Sequence, residues 1–223
     1  MRNLVLSIAV LSLFSVPGKT QSYPAIGDYM MSRDAEIALA KSAAPINISD
    51  HATVKVLTAA GYQVAREGGN GFVCMVLRGW AAPTYTPAQL RDLVYDAKTR
   101  APICFDPKAS QIVMPYYELR SKLAMQGETP DHIAEQVQAA YAKGQLPQRD
   151  GVSFGYMWSA DQILGPAAHW HPHMMLFLPY AKNHEFGDNP GGSMLPAISD
   201  DEGTPFAVVV IPVDEKLAVK ARP

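Results

Sequence analysis

Three of the six histidines in this sequence stand within five positions, at His169, His171 and His173. Neutral imidazole is the commonest protein ligand for zinc, copper and iron, so the cluster predicts a divalent transition-metal site. On a strand, the three side chains would face the same way. Residues two apart on a strand lie about 6.6 Å apart and can share an ion, whereas residues four apart lie about 13 Å apart. Pro172 cannot donate to a strand ladder, which indicates an edge strand or a loop.

Further metal-ligating side chains follow a short distance downstream, in a long loop predicted over residues 181–204. They are His184, Glu185 and Asp188. If the site is catalytic, the expected chemistry is metal-assisted hydrolysis or a metal-dependent oxygen reaction. The alternative is a non-catalytic binding or structural module in which the histidines only line a pocket and bond to backbone carbonyls.

A third and weaker hypothesis comes from the segment Gly151 to Gly155, which fits the pattern Gly-x-Ser-x-Gly with Ser153 at its centre. In serine hydrolases this pattern lies between a buried strand and a helix. Here a polar stretch precedes the pattern and strand-like residues follow it. A glycine-flanked serine at the start of a strand therefore fits the sequence better than a nucleophile.

The first residues predict export. One positive charge at Arg2 is followed by an apolar run from Leu4 to Val16 and then by Pro17-Gly18, as in a secretory signal peptide. The run is shorter than the roughly 20 residues that a membrane span needs. We therefore expect a signal peptide at residues 1–22 and one α+β domain at residues 23–223, located in the periplasm or outside the cell.

Composition excludes several classes of protein. The chain has 223 residues, of which 48% are hydrophobic and 18% are charged, so it is not a disordered chain. Its formal net charge of −2 provides no basic field for nucleic acid. Charge, proline or glycine interrupts every later apolar run, so no membrane span is expected. A small-molecule ligand remains open.

The two cysteines, Cys74 and Cys104, both lie in apolar segments. In an oxidising compartment two cysteines usually pair, so a disulfide is expected. The alternative is two buried thiols that pack as small hydrophobic side chains.

The elements that would hold these residues are helices in the middle of the chain and strands towards both ends. Asn70-Gly71 predicts a type I′ hairpin between Tyr62–Arg66 and Phe72–Leu77. Helices are expected over 32–42, 86–98 and 159–164, from Asp106-Pro107 with a break at Pro115, and from Thr129-Pro130 to Gly144. Strands are expected at 71–78, 152–158, 173–179 and 206–213. This order predicts an α+β fold in which several helices pack on a mostly antiparallel sheet.

Three segments together resemble an uncharacterised group of bacterial exported proteins. They are Asn70-Gly-Phe-Val-Cys74, Ala101-Pro-Ile-Cys-Phe105 and Gly165 through His173. The resemblance would cover most of the mature chain. It implies export and a shared fold, and it implies nothing about a substrate.

Overall fold

One eight-stranded sheet forms the centre of the computed structural model, which describes residues 25–81, 96–163, 171–191 and 193–222. In chain order the strands are β1 (Thr53–Thr58), β2 (Gly61–Arg66), β3 (Val73–Leu77), β4 (Ala101–Phe105), β5 (Ser153–Met157), β6 (His173–Phe177), β7 (Ala197–Asp200) and β8 (Val208–Pro212). Their spatial order is β2-β1-β3-β4-β5-β6-β8-β7, and every neighbouring pair is antiparallel except β1 with β3. The predicted α+β class is confirmed, as are the four predicted strands.

The described residues form six α-helices: α1 (Ile26–Tyr29), α2 (Arg33–Lys41), α3 (Ile46–Ser49), α4 (Ala109–Ile112), α5 (Met114–Met125) and α6 (Pro130–Ala142). The Ser32 hydroxyl caps α2 by accepting from the Ala35 amide. Thr129 caps α6 in the same way. Pro115 lies in the first turn of α5, where a missing amide hydrogen costs nothing, so it separates α4 from α5 as predicted. Three short 3-10 helices lie at Gly79–Ala81, Asn183–Phe186 and Glu215–Leu217.

The predicted hairpin across Asn70-Gly71 is wrong. Strand β2 instead pairs with β1 through a tight turn, and β1 lies between β2 and β3. Only Gly71 of the predicted turn pair has a positive φ, at 78°. The Asn70 side chain donates to the Ile48 carbonyl and accepts from the Phe72 amide. The segment therefore crosses the start of β1, and Gly68 approaches the Ala52 backbone so closely that a Cβ there would lie 2.2 Å from it.

Two further local predictions need correction. Residues 159–163 form a turn bounded by isolated bridges rather than a short helix, because Ile163 pairs with Arg100 and Ser159 with Val219. The loop predicted over 181–204 contains the edge strand β7. That strand is only four residues long and carries little of the alternating pattern that marks a strand in sequence.

Helices cover both faces of the sheet where β1, β3 and β4 lie. On one face, alternate residues of β3 and β4 such as Met75 and Phe105 pack with α5 and α6. On the other face, Cys74, Val76 and Cys104 pack against the end of α2. Cys74 and Cys104 lie directly opposite each other on β3 and β4 and form the predicted disulfide. The two strands are thus joined covalently at the most buried part of the sheet.

Several expectations fall outside the described ranges. They are the signal peptide at residues 1–22, almost all of the helix predicted over 86–98, and His169. Within the ranges that are described, no helix is long and apolar enough to cross a membrane.

Candidate functional site

A cavity of about 210 Å³ opens at the edge of the sheet where β6, β8 and β7 lie side by side. The strand register sets its floor, since His173 faces Pro212 across β6 and β8 while Ala197 faces Val210 across β7 and β8. The loop that leads into β7 provides one wall. The lining residues are His171, His173, Gly191, Ser193, Leu195, Ala197, Ile198, Ser199, Val210 and Pro212.

His173 is the first residue of β6 and is only 2% exposed. Its Nδ1 lies 2.8 Å from the backbone oxygen of His171 and donates a hydrogen bond to it. Burial lowers the pKa of His173, because the imidazolium form loses solvation. The ring is therefore neutral at pH 7, with its proton on Nδ1 and a lone pair on Nε2.

His171 is held by a different acceptor. Its Nδ1 lies 2.5 Å from Oε1 of Glu215, and both side chains are 47% exposed. Glu215 begins the short 3-10 helix after β8, and the Asp214 carboxylate caps that helix by accepting from the Lys216 amide. The Glu215 carboxylate thus accepts a hydrogen bond from Nδ1 and orients the ring at the mouth of the cavity.

A buried glutamine fixes the backbone between the two histidines. Gln162 is 2% exposed and donates from Nε2 to the His171 carbonyl over 3.0 Å. The His173 ring donates to the same oxygen, so both lone pairs of that carbonyl are used. Pro172 lies between the histidines, and its carbonyl accepts from the Val213 amide. Because Pro172 has no amide hydrogen to donate, β6 begins at the next residue, His173.

Sequence reasoning missed both Glu215 and Gln162. Neither residue belongs to a recognisable motif, and they stand 44 and 9 residues from their His171 partner. The signal for Glu215 would have been the strand register. Because His173 pairs with Pro212 in antiparallel strands, His171 falls beside the residues that follow β8.

The other predicted ligands lie elsewhere or outside the description. His169 is outside the described residues. His184 and Glu185 belong to the short 3-10 helix beyond the far end of β6, and Glu185 accepts from the Lys182 amide there. Asp188 follows that helix, and all three side chains are exposed and lie outside the cavity lining. Across the described part of the chain, no three His, Cys, Asp or Glu residues are grouped closely enough to hold a metal ion.

Ser153 is the first residue of β5, lies opposite Phe177 of β6, and is 1% exposed. The strand ends at Met157 and continues into a turn. A nucleophile elbow instead exposes its serine on a sharp turn between a strand and a helix. The local geometry around Ser153 is that of an ordinary buried strand residue.

No family model, curated protein or solved structure matches this chain.

Proposed function

We propose that this is an exported protein that binds a divalent transition-metal ion through His171 and His173, with His169 as the third predicted ligand. One observation carries the proposal. The Nδ1 atoms of both described histidines are hydrogen-bonded to oxygen acceptors, the Glu215 carboxylate and the His171 carbonyl.

This arrangement is typical of metal-bound histidine. A ligating imidazole usually donates its other ring N–H to a carboxylate or a carbonyl, which fixes the tautomer and makes the coordinating nitrogen more basic. When the ring of either residue is neutral, a bond donated from Nδ1 leaves Nε2 as the nitrogen with the lone pair. Metal binding requires neutral imidazole, and burial already lowers the pKa of His173 in the folded chain.

Spacing also supports a shared ion. Residues two apart in extended chain lie about 6.6 Å apart, which lets two imidazoles converge. Imidazole suits zinc, copper and iron. An ion held at this edge would face the cavity with a coordination position open to water or to a small substrate. The chemistry available there is polarisation of a bound carbonyl or activation of bound water.

A second candidate function is metal-free binding of a small organic ligand, and the cavity wall favours it. Leu195, Ile198 and Val210 give the cavity an apolar surface, and Ser193 and Ser199 add hydroxyl groups. At about 210 Å³ the cavity is smaller than sites for drug-sized ligands, which begin near 300 Å³. A ligand of a few heavy atoms would fit.

Export is supported by the disulfide between Cys74 and Cys104, because such bonds persist in oxidising compartments. The predicted signal peptide at residues 1–22 supports the same location. Edman sequencing of the mature protein recovered from a periplasmic fraction tests this part of the proposal. A mature chain that starts at Met1 would contradict it.

The metal proposal is tested by plasma mass spectrometry on mature protein purified from periplasm without a histidine tag. We expect about one equivalent of zinc, copper or iron, lost in the triple variant His169→Ala/His171→Ala/His173→Ala. The matched control is His132→Ala, since His132 lies on α6 and bonds to Glu128. Glu215→Gln should keep the ligands and weaken metal affinity by about 10–100-fold.

Two outcomes would contradict the proposal. One is the absence of metal from the wild-type protein together with unchanged thermal stability after zinc, copper or iron is added. The other is equal metal content in the wild-type and triple-variant proteins. Either result would leave the metal-free pocket as the better account of the site.

A further inference from the structure

Arg149 is a buried cation in the loop between α6 and β5, and only 8% of it is exposed. Its guanidinium carbon lies 4.6 Å from the centroid of the Phe206 ring and 4.8 Å from that of the Tyr116 ring. Aromatic faces attract a guanidinium, so these two rings hold its plane in position. They cannot accept the in-plane hydrogen bonds that its nitrogens would donate.

Two nitrogens of Arg149 are unsatisfied. Nε and Nη2 are both fully buried and make no hydrogen bond within the described part of the chain. None of the ion pairs formed between described residues involves Arg149 either. Nε and Nη2 share one edge of the planar guanidinium and point their hydrogens in parallel. That edge is the one that binds two oxygens of a carboxylate or a phosphate.

A second buried arginine, Arg120, adds positive charge beside the Tyr116 ring. Arg120 is fully buried, and its guanidinium carbon lies 5.4 Å from the Tyr116 centroid. Its Nη1 donates to the Tyr116 hydroxyl over 2.9 Å. Two guanidinium groups around one aromatic ring raise the local positive potential in a region of low dielectric constant. An anion brought to the Arg149 edge would be attracted by both charges.

We propose that the Nε and Nη2 edge of Arg149 is a bidentate binding site for an oxyanion, the carboxylate or phosphate group of a small molecule. The site is distinct from the histidine cavity. Phe206 precedes β8, whereas Pro212 at the other end of that strand lines the cavity. The lining of the cavity includes neither Arg149 nor the Tyr116 and Phe206 rings.

The test is a titration of the mature protein with potassium acetate, potassium phosphate and potassium sulfate at constant ionic strength set with potassium chloride. Thermal unfolding and isothermal calorimetry report binding. We expect at least one oxyanion to raise the unfolding temperature beyond the chloride control. A response to acetate alone identifies a carboxylate site, and a response to phosphate and sulfate identifies a tetrahedral oxyanion site.

Variants separate this site from general anion effects. Arg149→Met should weaken oxyanion binding by about 10–100-fold, because it removes charged hydrogen bonds. Arg149→Lys keeps the charge without the two-pronged edge and should bind less tightly than the wild type. The control Lys143→Met removes an exposed cation at the end of α6 and should bind like the wild type. No oxyanion response in the wild-type protein, or an equal response in Arg149→Met, would overturn the proposal.

Discussion

Arg78 and Arg149 are both buried arginines, but their surroundings differ. Arg78 donates from Nε to the Tyr29 carbonyl and from Nη1 to the Val76 carbonyl. Its Nη2 lies 2.9 Å from Oε1 of Glu36, an ion-pair contact without hydrogen-bond alignment. Arg149 has two aromatic rings against its faces and no anion among the described residues.

The contrast extends to the regions in which the two residues lie. Near β1, β3 and β4, the chain itself provides a counter-charge for the buried arginine and a partner for each cysteine, in the Glu36–Arg78 ion pair and the Cys74–Cys104 disulfide. Arg149 lies against Phe206, which leads into β8, and the far end of β8 borders the histidine cavity. In that half, Nε and Nη2 of Arg149 are buried without a hydrogen bond, and His171 and His173 line a cavity. The comparison teaches that the first region holds its buried charges through contacts within the chain, whereas the second contains the cavity and the buried cation on which our two binding proposals rest.

The largest expected effect is loss of the Glu36 carboxylate. Glu36→Leu should lower the free energy of unfolding by about 3–5 kcal/mol, because Arg78 would remain buried without its counter-charge. It also removes the acceptor for the Leu57 amide. Urea unfolding followed by circular dichroism measures the change. The double variant Glu36→Leu/Arg78→Met should recover part of the loss, and equal stability of the wild type and Glu36→Leu would contradict this account of the pair.

The disulfide should contribute nearly as much. A bridge that closes a loop with a sequence separation of 30 stabilises by about 3.5–4 kcal/mol in the chain-entropy model. Cys74→Ala/Cys104→Ala should therefore unfold at a lower urea concentration than the oxidised wild type. Dithiothreitol should destabilise the wild type and leave the double variant unchanged. Equal urea midpoints for the oxidised wild type and the double variant would show that the bridge has no stabilising role.

The variants Arg149→Met and Arg78→Met should change the free energy of unfolding in different ways. In buffer without oxyanions, we expect its free energy of unfolding to equal that of the wild type within about 1 kcal/mol or to exceed it, because the variant removes an unpaired buried charge. Arg78→Met should instead be strongly destabilised, since it leaves the Glu36 carboxylate buried and unpaired. Chemical unfolding of the two variants side by side measures both effects. A similar decrease in the free energy of unfolding for both variants would contradict the difference that we draw between the two arginines.

The smallest expected effect is on the pH dependence of the free energy of unfolding, measured with a chelator present to keep the protein free of metal. Burial lowers the pKa of His173 in the folded state, so the unfolded chain takes up this proton first as pH falls. The free energy of unfolding should therefore decrease as pH falls below about 6.5, the ordinary histidine pKa. His173→Gln should show a smaller decrease. Unfolding curves collected between about pH 7.5 and pH 5 measure it.

His132 provides the control of opposite sign. The Glu128 carboxylate accepts a hydrogen bond from His132 and raises its pKa. Its contribution is fully present below about pH 6.5 and is lost as pH rises through the raised value. His132→Gln should therefore abolish the gain in stability that the wild type makes as pH falls towards about 6.5, and it should leave the slope below that pH unchanged. The same slope in His173→Gln as in the wild type would show that His173 is not the responsible group.

Local signals in the sequence predicted the elements that depend on local chemistry. Ser32, Thr129-Pro130 and Pro115 mark helix starts and a break through capping and a missing amide hydrogen, which act within one turn. The Asn70-Gly71 prediction failed because tertiary hydrogen bonds to Ile48 override an intrinsic turn preference. The short segment between β2 and β3 gave no local sign that β1 would lie between these two strands.

The candidate site was predictable only in part. Spacing identified His171 and His173, and these two residues line one cavity. Glu215 and Gln162, which orient them, come from distant segments and carry no sequence signal of their own. The burial of Arg149 carried no sequence signal either, since a lone arginine in a polar loop ordinarily indicates a solvent-exposed residue.

X-ray absorption at the zinc edge tests the central claim most directly, on mature protein loaded with one equivalent of zinc. We predict a first shell that contains two or three imidazole nitrogens at about 2.0–2.1 Å, with the outer-shell scattering that identifies histidine rings. The same spectrum of His171→Ala/His173→Ala should lose that scattering. A first shell built only of oxygen, or an unchanged spectrum in the double variant, would contradict a metal site at these histidines.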